Sequence, residues 1–506
     1  MGIFHRLLTS ITGIKPGAIT NYHGAFHGGS VVRRDMSGWR TRTGDADADT
    51  LTDLPKLRQR SRDLVRNAPL AGGAVSTQAM NVVGTGLALQ SRVDRKALRL
   101  TDEAAGEWEG KVEREWRLFS ESPECDITRT QNFRQLQDVI FRSMLESGDV
   151  FVALPMRSGT PTLPFSLRIQ LIEADRVSNP NGQADSKQIA GGVERDAYGA
   201  PLAYHIRDIH PGSEVERGRS WQRIPAFGSQ SGRRNLLHIF HRTRPGQSRG
   251  VPVLAPVITA LKQLDRYTEA EMNAAVLAGM FAVFVKTPAL EDFDPTGQQS
   301  ETGATAADED LKMTGGTMVN LAPGEDITSV APGRPNQAFA QFVEAVQEQI
   351  GVGLGIPVEL LRMHFSASYS ASRAALLEAW KLFLTKRGWL VDSLCTPVYQ
   401  TWMDEAVALG RIQAPGYFSD PGIRAAYQGA QWVGPAPGQL DPLKEANAAV
   451  VRIGAGLSSI DQEAAQMGGD FDQIHRQRAK EERMRQEAGL VMPLVAPDIQ
   501  QGTGNG

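Results

Sequence analysis

Long stretches of helical periodicity, kept apart from one block of short strands, most restrict what this chain can fold into. The longest runs from Ser372 to about Leu409, with Leu376, Trp380, Phe383 and Leu384 on one side. Pro397 should kink it, because the ring removes one hydrogen bond and clashes with the carbonyl four residues earlier. A second stripe, Leu254, Val257, Ile258, Leu261 and Leu264, has Lys262, Asp265, Arg266 and Glu269 off its face. It predicts a helix from Pro252 to about Leu277, roughly 39 Å long at about 1.5 Å per residue. A third stripe, Phe339, Phe342, Val343, Val346 and Ile350, predicts a helix from about Gln337 to Val352, which GVGLGIP breaks.

Upstream lie shorter amphipathic helices. Arg58 to Arg66 leads into NAPLAGGAVSTQAMNVVGTG, where Pro69 suits a first helical turn and Gly84 and Gly86 mark the end. Trp108, Val112, Trp116 and Phe119 recur at helical spacing; so do Phe133, Leu136, Ile140 and Met144, behind Thr130 as the expected N-cap. After Gly148 the period changes. DVFVALPM, SLRIQLIEADRV, GGVERD and PLAYHIRD read as strands, the last two as a hairpin around Asp196-Ala197-Tyr198-Gly199. The expected class is therefore α+β.

Residues 1 to about 50 are rich in Gly, Ser, Thr and Arg and close on Asp45-Ala46-Asp47-Ala48-Asp49, which suggests a mobile arm. FAVFVKT reads as a strand, and GTMVNLAPGEDITSV as a second extended segment. Between them, Thr287 to Lys312 holds seven acids and one lysine. WVGPAPGQLDP is a turn region, EANAAVVRIGAG resumes a helix, and Asp470 to Glu487 mixes charges as an exposed or bundle-facing helix does.

Composition excludes some classes. The longest apolar run, Ala274 to Val285, has twelve residues, against about 20 for a bilayer span, so no membrane span is expected. The N-terminus lacks the pattern of a cleaved leader. Cys125 and Cys395 stand alone, without disulfide or zinc spacing. The net charge of -3 argues against a protein that grips DNA by neutralising phosphates, yet suits a wall past which DNA slides. Locally the balance reverses: Glu194 to Gly250 holds ten arginines, no lysine and five acids, a pattern of a solvated surface or of contacts to phosphate or an acidic partner.

Catalytic and metal motifs are not found. GVGLGIP and VVGTG follow helices and lack the lysine of a P-loop. The aspartates at 45–49 open like a calcium loop, but Thr50 and Lys56 stand where Gly and Glu are needed. His238 and His241 fall on a strand, which separates their faces. Glu173 and Asp175 have no visible partner. The expectation is no enzyme, no cofactor and no metal.

Several segments together resemble the lambda-type family of phage portal proteins, from about Arg58 to about Asp470. They are RDLVRNAPLAGGAVSTQAMNVVGTG, REWRLFSESPECDITRTQNFRQLQDVIFRSMLESGDVFVAL, IQLIEADRV, GGVERDAYGAPLAYHI, HIFHRTRPGQSRGVPVLAPVI, IGVGLGIPVELL and WVGPAPGQLDPLKEANA. Their number and order carry the likeness, since none is a chemical motif. The resemblance implies a portal fold with long stem and wing helices and small β-containing wing and clip regions. It also implies a ring, usually of twelve subunits, at one capsid vertex, through which double-stranded DNA is packaged and ejected. On that plan 1–50 is the arm, 51–250 the wing, 251–280 the first stem helix, 281–335 the clip and 336–353 the second stem helix. Residues 354–371 form the tunnel loop, 372–460 the long wing helix and its return, and 461–506 a crown-like helical tail.

The resemblance puts Arg362, His364, Ser366 and Tyr369 of the tunnel loop towards DNA; Leu360, Leu361 and Phe365 argue instead for burial there. It puts the acidic residues Glu291, Asp292, Asp308, Glu309 and Asp310 in the clip, facing the large terminase subunit and later a head-tail adaptor, although disorder also suits such a composition. Major capsid and scaffolding proteins are further implied partners, and the virion the implied location. Two other readings remain on the residues alone. A capsid or scaffolding protein would form shells or rods, and a soluble enzyme with a dispersed site would form a small oligomer.

Overall fold

The computed structural model describes residues 43–214, 220–279, 283–286, 326–329, 338–365, 369–437 and 442–490, with a few isolated positions before 43. It is a mixed α+β protein in which helices predominate and the strands form small antiparallel sheets.

Helix boundaries follow local chemistry. Asp102–Ser120 starts at Thr101, whose hydroxyl accepts from the Ala104 N–H, and Asp102 and Glu103 favour the positive end of the helix. Phe133–Ser147 is capped by Asn132 and not by the expected Thr130. Asn132 and Gln135 satisfy each other's backbone N–H groups, a reciprocal pair three residues apart; the Thr130 hydroxyl instead donates to Asp126. Leu54–Asn67 and Pro69–Val82 are separated only by extended Ala68, with Pro69 opening the second helix.

Strands occur mainly where the sequence alternates. Asp149–Ala153 is the centre of a three-stranded antiparallel sheet, between Gln170–Ile172 and Leu236–Phe240. Ile189–Ala190, Val193–Arg195, Pro201–Arg207 and Trp221–Pro225 form an antiparallel meander. The expected hairpin is present, and Asp196 accepts from the N–H groups of Tyr198 and Ala200. Ala88–Ser91 pairs with distant Ala430–Val433, tying the C-terminal part to the N-terminal helices. Val283–Lys286 pairs antiparallel with Asp326–Ser329, so the two extended segments flanking the acidic span are partners.

The main core is aromatic. Trp116 lies edge-on to Phe133, Tyr399, Trp402 and Trp432, with ring centroids 5.2–5.9 Å apart. Each such side chain contributes on the order of 1.5–3 kcal/mol through burial. Tyr399 and Trp402 come from the far end of the longest helical pattern, which is interrupted as Pro397 requires. Tyr369–Leu390 passes through a wide turn, Val391–Cys395, into Thr396–Ala408. The extra residue in that turn accommodates the ring and the missing N–H.

A second core joins the Pro69–Val82 region to two further helices: Leu64, Ala68, Ala71 and Ala74 meet Leu254, Val257, Leu261, Leu264, Ile350 and Leu354. The helix expected from Pro252 begins with a tight turn at Ala255–Val257 and is α-helical over Ile258–Gly279. Its partner is Phe339–Leu354. Glycines 351 and 353 do not break that helix; a Cβ on Gly353 would lie 2.5 Å from Val257 Cγ1, so its smallness serves helix contact. The break comes at Gly355, with φ +68.

The aspartates at 45–49 are not part of a free arm. Ala46–Thr50 is a helix capped by Asp45, held by arginines of the 194–250 segment. That pairing joins two features that the sequence leaves separate.

Candidate functional site

Helices Ile258–Gly279 and Phe339–Leu354 run antiparallel. Val257 meets Gly353 at one end, while Tyr267 stacks on Phe339 at 5.6 Å and meets Phe342 edge-on at 4.9 Å nearer the other. Beyond that contact Met272 is exposed, as is Phe342. Gly355 reverses the chain, and Pro357 opens the short helix Val358–Arg362. Met363, with φ +54, ends it, and the His364 N–H donates to the Glu359 carbonyl at 3.0 Å.

This loop divides into an anchored and an exposed part. Leu361 is buried and Leu360 packs on both neighbouring cores, whereas Met363, His364 and Phe365 are exposed. Arg362 points back to Phe339–Leu354: Nε donates to Gln347 Oε1 at 2.5 Å and Nη1 to Glu344 Oε1 at 2.6 Å. Its guanidinium thus braces the loop. Tyr369 is the first residue of the Tyr369–Leu390 helix, and Ser366 lies outside the described residues. Glu291, Asp292, Asp308, Glu309 and Asp310, the acids expected in a clip, also lie outside them. Of the four loop residues, the structure therefore places Arg362 against the preceding helix Phe339–Leu354 and His364 on the surface.

Where the chain passes from the strand block to the helix Ile258–Gly279, a buried charge centre holds the backbone. Asp149, fully buried, accepts from Arg58 Nη2 at 2.7 Å, Arg249 Nε at 2.6 Å, His238 Nε2 at 3.1 Å and the Gly250 N–H at 3.2 Å. Arg249 also donates to the carbonyls of Val177, Gly191 and Ala174, so its planar fork spans both sheets. Gly250 is required by the close approach of Gly148, since a Cβ there would sit 1.9 Å from the Gly148 oxygen. Burial alone would neutralise Asp149, but Arg249 and Arg58 outweigh it and hold the carboxyl well below the usual range. Burial pushes His238 down to about 4, against the opposing effect of Asp149, and lowers Arg58 to about 10.

The sequence showed no partner for this aspartate, because Arg58, His238 and Arg249 lie 91, 89 and 100 positions away. Glu173 and Asp175, which had no visible partner either, meet Arg62 at 3.4 and 2.5 Å. Together with His210 they bring potential ligand atoms within 4.8 Å of one another. Arg62 supplies the positive charge there, so the group is an ion-pair cluster and fits a metal poorly. His238 bonds Asp149, while His241 lies against Trp389, so the two histidines face different neighbours.

Many arginines of the 194–250 segment are engaged within the chain. Arg195 pairs with Asp47, Arg223 with Glu194, Arg244 with Asp49 and Arg249 with Asp149. Arg207, Arg234 and Arg242 lie over the rings of Trp221, Phe227 and Phe240. Four of the ten arginines thus have their acidic partner within the chain, and Arg217 and Arg219 lie outside the described residues. No helix among the described residues is long and apolar enough to cross a membrane.

The family model for phage portal proteins of the lambda family matches residues 32–387. Portal protein B of Escherichia phage lambda is 27% identical over 500 residues, covering 95% of this chain and 93% of its own. The portal protein of Escherichia phage N15 matches with the same identity and coverage. Among solved structures, a chain in the neck of an empty gene transfer agent particle aligns over 81% of this chain and 93% of its own, at 15% identity and a TM-score of 0.45.

Proposed function

Because this chain belongs to the lambda family of phage portal proteins, we propose that copies of it close into a ring, usually of twelve subunits in such proteins, at one capsid vertex. The ring is a conduit for double-stranded DNA during packaging and ejection and performs no catalysis. The observation that carries this reading is the match over 32–387, which spans the paired helices and the exposed loop that follows them. The charge distribution supports it: the net charge is -3, and many arginines of the one strongly basic segment are occupied internally. Such a wall releases few counterions on meeting DNA and so does not arrest it.

On this reading the loop after the second stem helix faces the lumen. His364, with Ser366 and Tyr369, approaches the DNA, and Arg362 supports the loop through Glu344 and Gln347. Between the two stem helices, the acidic residues Glu291, Asp292, Asp308, Glu309 and Asp310 form the docking surface for the large terminase subunit and later for a head-tail adaptor. Major capsid and scaffolding proteins surround the ring in the virion, and the protein is made in the host cytoplasm. Negative-stain imaging of the purified full-length chain tests the reading. Rings with a central hole are expected; shells, rods or only a small compact oligomer would overturn it.

A further inference from the structure

The short helix Ala46–Thr50 is attached to the strand block mainly through carboxylates. Asp47 Oδ1 accepts from the Ser248 N–H at 2.7 Å, and Oδ2 accepts from Ser248 Oγ at 2.7 Å and Arg195 Nη1 at 2.9 Å. Asp49 accepts from Arg244 Nη1 at 2.7 Å, and Arg244 Nη2 donates to the Gly44 carbonyl at 3.1 Å. Within the helix only Ala46 is buried. Packing takes over at Leu54, which is 3% exposed and begins the next helix.

The receiving side is built and not incidental. Gln247, itself buried, accepts from Thr243 N–H, Thr243 Oγ1 and Arg244 N–H and donates to the Arg249 carbonyl. It therefore sets the loop that presents the Ser248 N–H. Arg195 reaches this loop from the hairpin and donates to Ser248 Oγ at 2.6 Å. At Asp47 a backbone N–H, a hydroxyl and one guanidinium meet, a donor set matched to an oxyanion with two acceptor oxygens, while the Arg244 guanidinium holds the second carboxylate, Asp49, two residues on.

We propose that Arg195, Arg244 and Ser248 form an oxyanion-binding seat that the chain's own Asp47 and Asp49 latch shut. The pairs differ in exposure: Asp47 and Arg195 are 14% and 16% exposed, Asp49 and Arg244 39% and 49%. The outer pair is screened first as ions are added, and the inner one yields to an anion that replaces its hydrogen bonds. Opening turns about residues 51–53, releases the Ala46–Thr50 helix from the strand block and frees the seat for another carboxylate or phosphate group.

Hydrogen exchange of the full-length protein, read at the backbone amides of residues 48–51 and of Ser248, tests this with inorganic phosphate as the probe. At matched ionic strength and pH, exchange is expected to be several-fold faster in phosphate than in chloride. D47N/D49N should exchange rapidly in both anions, and R195Q should approach it, while amides within Pro69–Val82 stay unchanged and report an intact fold. Equal exchange in the two anions would remove the seat and leave ordinary screening. Unchanged exchange in D47N/D49N would remove the latch itself.

Discussion

Asp149 concentrates more electrostatic consequence than any site the residues suggested beforehand. Its carboxylate neutralises two buried arginines and accepts from His238 and the Gly250 N–H. D149N keeps the shape but removes the charge, leaving Arg58 and Arg249 uncompensated. The variant is expected to lose about 3–5 kcal/mol, read as a fall in the urea midpoint; a loss below about 1 kcal/mol would deny the centre its role. Acid acts on the same place twice. His238 titrates at about 4 in the folded chain, below its unfolded value of about 6.5. The unfolded chain therefore binds the proton first, and stability falls as pH drops from about 6.5 towards 4. Asp149, depressed by its arginines, contributes stability above its unfolded value of about 3.9 that is lost at lower pH. H238Q should flatten the melting temperature between pH 6.5 and 4 and leave the loss below pH 4 in place.

At the scale of elements, a short helix and one arginine determine how the loop after the second stem-like helix is presented. Leu361 is buried beneath it, while Arg362 ties Val358–Arg362 to Glu344 and Gln347 on Phe339–Leu354. The Glu344 pair is partly exposed, so R362Q should change stability by less than about 1 kcal/mol. The same variant should speed hydrogen exchange at residues 358–364 severalfold. If Arg362 braces the loop and His364 with its neighbours meets DNA, R362Q and H364A/S366A/Y369A should both lower the DNA packaged per head, and only R362Q should alter the exchange. Normal packaging in both would exclude the loop from the lumen.

For the whole molecule, charges of opposite sign are gathered in separate stretches of the chain. The arginine-rich segment meets Asp47, Asp49, Asp149 and Glu194 within the chain. Thr287 to Lys312, in the sequence between the paired strands Val283–Lys286 and Asp326–Ser329, holds seven acids against one lysine. Reversing Glu291, Asp292, Asp308, Glu309 and Asp310 to lysine should weaken capture of the large terminase subunit by at least tenfold while rings still form. Unchanged capture would take the partner role from this span.

Periodicity was sufficient to reveal the amphipathic helices, the interruption ahead of Pro397 and the hairpin around Asp196, because each depends on residues within a few positions of one another. The family likeness was legible for a similar reason, as the order of local segments survives in sequence. The cap at Asn132, the pairing of Ala88–Ser91 with Ala430–Val433 and the backward turn of Arg362 were not. Neither was the meeting of Asp47 and Asp49 with Arg195 and Arg244. Charges of opposite sign attract without a sequence period, so which pairs form is decided only when packing brings distant segments together. The sequence by itself determined the elements and the kind of protein; the tertiary structure decided which charges are neutralised inside it, because only packing brings distant segments together.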